Sequence, residues 1–136
     1  MYLVDTNVWL ELLLEQEKAE EVHQFLESVD AYQLSMTEFT LYSIGLITIR
    51  LGKESIFEIF ISDILEESAV RRISLSTFDL KKVLSARKEF HLDFDDAYQY
   101  VAAKRDGLIL VSFDSDFDKT DIGRRTPADL SAAMET

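Results

Sequence analysis

The chain has 136 residues, 47% of them hydrophobic, with no cysteine and a formal net charge of −12. This length predicts one domain over residues 1–136 with enough apolar content for a core, and the missing cysteines exclude a disulfide framework and a thiolate metal site. The acidic balance excludes broad nonspecific affinity for nucleic acid, though not an enzyme that acts on it with its acids offset by metal.

In chain order, Tyr2-Leu3-Val4 reads as a short strand that stops at Asp5-Thr6-Asn7. A carboxylate at the C-terminal end of a strand stands where open α/β sheets bind their ligands. Val8-Trp9-Leu10 and Leu12-Leu13-Leu14 read as a helix, and Val22, Phe25, Leu26 and Val29 keep helical spacing. Tyr32 to Ser35 predicts a second strand, with Thr37 capping a helix through Phe39, Leu41, Tyr42 and Ile44 that ends near Gly52. Ile56, Phe57, Ile59, Phe60, Ile64 and Leu65 predict one amphipathic helix, Val70 to Leu75 a strand, and Thr77 the cap of a helix through Leu80, Val83, Leu84 and Arg87. Asp93 is the N-cap candidate of a helix that carries Asp96 and stops at Gly107. Leu108 to Ser112 is the clearest buried strand, and Thr126 to Leu130 predicts an edge strand and a turn. Strands alternating with helical crossovers imply an α/β fold with a parallel sheet between helices. No apolar run reaches the roughly 20 residues of a bilayer span. Met1 leads straight into the first strand, so no signal peptide, no membrane partner and a cytoplasmic location are expected.

Acids recur at the element junctions: Asp5, Glu38, Asp96, Asp114 and Asp116. Each has a structural explanation when taken alone. Asp5 reads equally as an N-cap, Glu38 and Asp96 suit the first turn of a helix, and Asp114 and Asp116 suit a turn. Their recurrence at one edge of the sheet is the signal. Clustered carboxylates repel each other, and a divalent cation relieves that repulsion. Oxygen-only ligands favour Mg²⁺ or Mn²⁺, and such a centre suits phosphodiester hydrolysis. The two histidines, His23 and His91, form no ligand pair, and no Ser-His-Asp or Cys-His arrangement is visible. The basic pairs, from Arg71-Arg72 to Arg124-Arg125, read either as phosphate contacts or as solvated surface.

At these motifs the chain resembles the PIN domain, and within it the small VapC-type toxins of prokaryotic toxin–antitoxin pairs. The resemblance rests on Val4-Asp5-Thr6-Asn7, on Thr37-Glu38, on Asp96-Ala97 followed by Tyr98 through Ala103, and on Ser112-Phe113-Asp114-Ser115-Asp116-Phe117. It implies a three-layer α/β/α sandwich with a central, mainly parallel sheet and a Mg²⁺- or Mn²⁺-dependent endoribonuclease. On that reading Asp5 and Asp96 hold the principal metal, and Glu38 shapes the site through water or direct ligation. Asp114 completes the acidic pocket, Asp116 is auxiliary, and Thr6, Asn7 and Ser112 support the acids or orient substrate. The partners implied are RNA, a second copy in a homodimer, and a cognate antitoxin with a basic C-terminal segment. Two departures stand out. Phe113 occupies a place where the family often has a polar or basic residue, and Asp95 beside Asp96 leaves the third acid open by one residue, with Asp96 preferred because Ala97 follows it.

Three other phosphate-handling classes fit less well. A haloacid-dehalogenase-like phosphatase needs a second Asp where Asn7 stands, and a response-regulator receiver needs a lysine where Phe113 follows the late strand. A FEN-like 5′ nuclease needs more chain than 136 residues provide. The alternatives within the fold are an RNA-processing or quality-control nuclease without an antitoxin, and a catalytically weak binding subunit.

Overall fold

The computed structural model describes residues 1–135. Four short strands form one parallel sheet: β1 (Tyr2–Val4), β2 (Leu34–Thr37), β3 (Arg71–Ile73) and β4 (Ile109–Val111), in the order β3-β2-β1-β4. The helices are α1 (Thr6–Leu13), α2 (Ala19–Ser28), α3 (Glu38–Arg50), α4 (Glu54–Phe60), α5 (Thr77–Phe90), α6 (Phe94–Asp106) and α7 (Pro127–Glu135).

Alternation along the strands builds two cores. Leu3 and Leu110 face one layer with Val83, Ala86, Val101 and Ala102 of α5 and α6. Val4 and Val111 face the other, with Val8 and Trp9 of α1, Phe25 of α2, Ile44 of α3 and Phe60. The result is the three-layer α/β/α sandwich expected from the motifs. Burying such side chains stabilises the fold by about 1.5–3 kcal/mol each. Gly45 lets α4 approach α3 closely, since a Cβ there would lie 2.9 Å from Cζ of Phe57.

Several expected boundaries shift. The second strand starts at Leu34 because Ala31–Gln33 forms a 3₁₀ turn closed by a capping box between Asp30 and Gln33. Ser76, not Thr77, caps α5: its side chain accepts from the Asp79 amide while Asp79 bonds back. The helix expected through Leu65 passes from α4 into a π-helical turn, Ile61–Glu66. The expected edge strand at Thr126 to Leu130 is instead a single parallel bridge, Val111 to Arg125, followed by α7. Pro127 opens that helix, where its missing N–H costs nothing. Thr37 caps α3, and Asp93 holds the N-cap position of α6 without a side-chain cap bond. Gly107 ends α6 at φ 64°, as a left-handed C-terminal residue does.

All four strands run parallel, so their C-terminal ends share one edge. β1 is central and β4 is its neighbour at the sheet edge, in register with Val4 opposite Val111, which brings Asp5 and Ser112 side by side just past the strand ends. Among the described residues, no helix is long and apolar enough to cross a membrane.

Candidate active site

Asp5 is the centre of the arrangement. It caps α1 and is 5% exposed. Its Oδ1 accepts from the Thr6 amide at 2.8 Å and from Gln99 Nε2 at 2.9 Å. Its Oδ2 accepts from Ser112 Oγ at 2.7 Å and from Asn7 Nδ2 at 3.3 Å. Burial raises its pKa, the bonds from Gln99, Ser112 and Thr6 oppose that, and the charge of Asp114 adds to the rise.

Ser112 and Asn7 lock this side of the site. Ser112 Oγ donates to Asp5 and accepts from Asn7 Nδ2 at 3.2 Å and from the Asp114 amide at 3.0 Å. Asn7 Oδ1 accepts from the Phe113 amide at 3.1 Å, which fixes the turn after β4. Thr6 reaches the other way, its hydroxyl 2.9 Å from that of Thr40. Thr6, Asn7 and Ser112 each bond Asp5 directly and tie it to a neighbouring segment.

Asp96 lies in the first turn of α6 and is 7% exposed. Its pKa is pushed up to about 8, first by burial, then by the charge of Asp114, a hydrogen bond shared with Asp114, and the charges of Asp95 and Asp5. Asp114 caps the 3₁₀ turn Ser115–Lys119, its side chain accepting from the Asp116 amide at 2.9 Å. Asp5, Asp96 and Asp114 line one cleft of about 490 Å³ together with Thr6, Asn7 and Gln99. Its rim adds Asp95, and its walls add Leu10, Phe39, Ile47 and Phe94. Asp95 is exposed while Asp96 is buried, so the two adjacent acids have different surroundings.

The remaining acids stand apart. Glu38 does not line the cleft; it pairs with Arg72 at 3.3 Å, its side chain 36% exposed. Asp116 is exposed and lies 3.8 Å from Lys119. It still belongs to a carboxylate group with Asp96 and Asp114, whose oxygens lie within 4.8 Å of one another. Those three donors are all hard oxygens at a spacing one ion can bridge, so the residues present fit a divalent cation of the Mg²⁺ class. Asp93, Asp95 and Asp96 form a second such group.

Two features escaped the sequence reading. Gln99 reaches Asp5 from α6, and Thr40 joins the same bonds from α3. The available signal was a polar residue three positions after Asp96, on the same face of a helix otherwise buried through small and apolar residues. The basic pairs expected as phosphate contacts or surface are in part ion-paired: Arg105 with Asp79 and Asp106, Lys104 with Asp121, and Arg124 with Asp118.

The family model described as PIN domain matches residues 2–123. No curated relative matches in sequence. Among solved structures, the fold is shared with a chain of a toxin–antitoxin complex from Klebsiella pneumoniae at 22% identity and a TM-score of 0.75, over 93% of this chain and 98% of that one. It is shared with a chain of FitAB bound to an IR36 DNA fragment at 23% identity and a TM-score of 0.78, over 94% and 96%. It is also shared with VapC20 of Mycobacterium tuberculosis, described as a sarcin-ricin loop cleaving toxin, at 17% identity and a TM-score of 0.78, over 93% and 100%.

Proposed function

The chain belongs to the PIN domain family, and on that premise we propose that it is a Mg²⁺- or Mn²⁺-dependent endoribonuclease, the toxin of a toxin–antitoxin pair. One observation carries the reading: Asp5, Asp96 and Asp114 converge on one cleft, where burial first and the neighbouring acids second push the Asp96 pKa up to about 8. A site so arranged gains most from a bound cation.

When bound, the ion supplies a water of lowered pKa and neutralises charge on the phosphate in the transition state. Asp5 presents a carboxylate whose two oxygens are oriented by four donors. Asp96 and Asp114 bring the opposing acids, with Asp116 at the rim as an auxiliary. Glu38 joins by leaving Arg72. Phe39 and Phe94, whose ring centroids lie 6.1 Å apart, give the cleft an aromatic wall suited to an unpaired base. Among the described residues no Lys or Arg lines the cleft, so the grip on RNA falls to metal, polar groups and that wall.

Exposed apolar residues on neighbouring helices supply surface for partners. Tyr42, Leu46 and Ile49 lie along α3 at helical spacing, with Ile59 on α4, each more than half exposed. This stripe suits a homodimer contact and an antitoxin groove. The net charge of −12 favours an antitoxin with a basic C-terminal segment, whose arginine can pair with the cleft acids. The toxin assignment draws on the Klebsiella chain, which is part of a toxin–antitoxin complex. The whole of residues 1–136 is taken as one nuclease domain of the cytoplasm.

The test is cleavage of total RNA with mapped ends. Wild type with Mg²⁺ or Mn²⁺ is expected to cut at discrete sites. Asp5→Asn and Asp96→Asn are expected to lose at least about a hundredfold in rate while staying folded. Full activity in EDTA, or in both variants, refutes the assignment. Co-expression with the adjacent open reading frame separates the toxin from an antitoxin-free RNA-processing nuclease: a product that binds and suppresses cleavage marks the toxin.

A further inference from the structure

Gln99 sits behind the acids and is 1% exposed. Its carboxamide is engaged on both sides. Nε2 donates to Asp5 Oδ1 at 2.9 Å and to Thr40 Oγ1 at 2.8 Å, and Oε1 accepts from Thr37 Oγ1 at 2.7 Å. The amide orientation is fixed by these partners, because flipping it would face an oxygen to the Asp5 carboxylate. Thr40 extends the network: its hydroxyl lies 2.9 Å from that of Thr6, and its amide donates to Thr37 Oγ1 at 3.1 Å.

This one side chain therefore joins three of the segments that carry the acids. Asp5 links β1 to α1, Thr37 and Thr40 flank Glu38 at the start of α3, and Gln99 itself lies about one turn after Asp96 on α6. We infer that Gln99 is a positioning residue of the acidic centre: its carboxamide clamps the Asp5 carboxylate to the start of α3 and sets the spacing between Asp5 and Asp96.

A buried polar network that served only the fold would stabilise the chain without touching the acids. Here the contact is to the carboxylate oxygen itself, and Gln99 lines the acid cleft. Without Gln99, Oδ1 keeps only the Thr6 amide while Oδ2 keeps Ser112 and Asn7. The carboxylate then loses half of its restraint on one side. Groups that orient a metal ligand typically account for about 10–100-fold in metal affinity.

The inference rests on the metal-dependent reading above. Calorimetric titration with Mn²⁺ tests it on the full chain. Gln99→Met keeps the length and volume of the side chain and removes its donors. This variant is expected to bind Mn²⁺ about 10–100-fold more weakly than wild type. Its kcat on RNA is expected to fall with KM unchanged, since the clamp acts through Asp5. Thr40→Val is expected to weaken Mn²⁺ binding severalfold, and Thr40→Ser, which keeps the hydroxyl, is expected to restore it. A folded Gln99→Met with wild-type Mn²⁺ affinity overturns the inference. If that variant does not fold, the Thr40 pair decides, and equal affinities for Val and Ser overturn it. Wild type that binds Mn²⁺ and cuts RNA beside unaffected variants removes only the positioning role. Wild type that takes up no Mn²⁺ removes that role and the metal-dependent reading together.

Discussion

Raising the pH of the metal-free protein should destabilise it through Asp96. Its pKa is pushed up to about 8 in the fold, against 3.8 for an ordinary aspartate. Between those values the folded state binds the proton that the unfolded state has released, so stability falls as pH rises. It is fully present below 3.8 and has been lost once pH passes about 8. For a single carboxyl with these two values, the loss between pH 6 and pH 8 integrates to about 2 kcal/mol. At roughly 3–4 °C per kcal/mol for a chain of this size, that is a fall of about 6–8 °C in melting temperature. The assay is thermal unfolding in EDTA across that range, for wild type and Asp96→Asn. The variant keeps the shape of the side chain and has no charge to bury, so its profile should be flatter by that amount and its stability at pH 8 higher. Metal should act in the opposite sense. Binding displaces the Asp96 proton, so affinity for Mg²⁺ should rise about tenfold per pH unit below 8 and level off above it. Parallel melting profiles for wild type and variant, or a metal affinity flat from pH 6 to 9, would refute the argument that Asp96 holds a proton in the cluster.

Three further outcomes follow from named contacts. Arg72 holds Glu38 at 3.3 Å in a half-exposed pair, and such pairs are worth at most about 1 kcal/mol; Arg72→Ala should free Glu38 for the cleft and tighten Mn²⁺ binding up to about fivefold, and unchanged affinity would leave Glu38 as a helix-start residue alone. Asp79 has its pKa lowered to about 2, first by the Ser76 amide and then by Arg105. That contribution is present above pH 3.8 and lost as pH falls toward 2, so the melting-temperature gap between wild type and Arg105→Met should narrow over that window; a constant gap would mean that Arg105 acts only through its other contacts. Light scattering at high micromolar concentration should show a dimer that Leu46→Lys disrupts without loss of fold, whereas a strictly monomeric wild type would remove the dimer from the proposal.

The legible parts of this fold are those written locally. The apolar run before Asp5 and the run before Ser112 became β1 and β4, because a buried parallel strand is a continuous hydrophobic stretch. The Thr37 cap and the Gly107 stop were equally local. At the tail, Thr126 and Asp129 cap each other's backbone around Pro127, a local helix-start signature that outweighs the apolar residues suggesting a strand there. What could not be read depends on register. Gln99 reaches Asp5 across 94 positions, and nothing local marks that partnership. Glu38 follows a strand end as the motif requires, yet the β2–β3 pairing sets Met36 opposite Arg72 and brings the guanidinium to the glutamate.

The deeper difference lies among the acids themselves. In the sequence, Asp5 and Asp96 are equivalent members of a set. In the fold, Asp5 receives four donors, and its burial is opposed by the bonds from Gln99, Ser112 and Thr6. Asp96 is nearly as buried, but the influences on it beyond burial are other acids: Asp114, Asp95 and Asp5. Burial raises the pKa of both, but environment leaves one restrained by hydrogen-bond donors and the other flanked by acids. Protonation within the cluster relieves the repulsion that would otherwise oppose folding without a cation. On the proposed metal-dependent reading, a proton held there must leave when an ion binds, which ties affinity to pH.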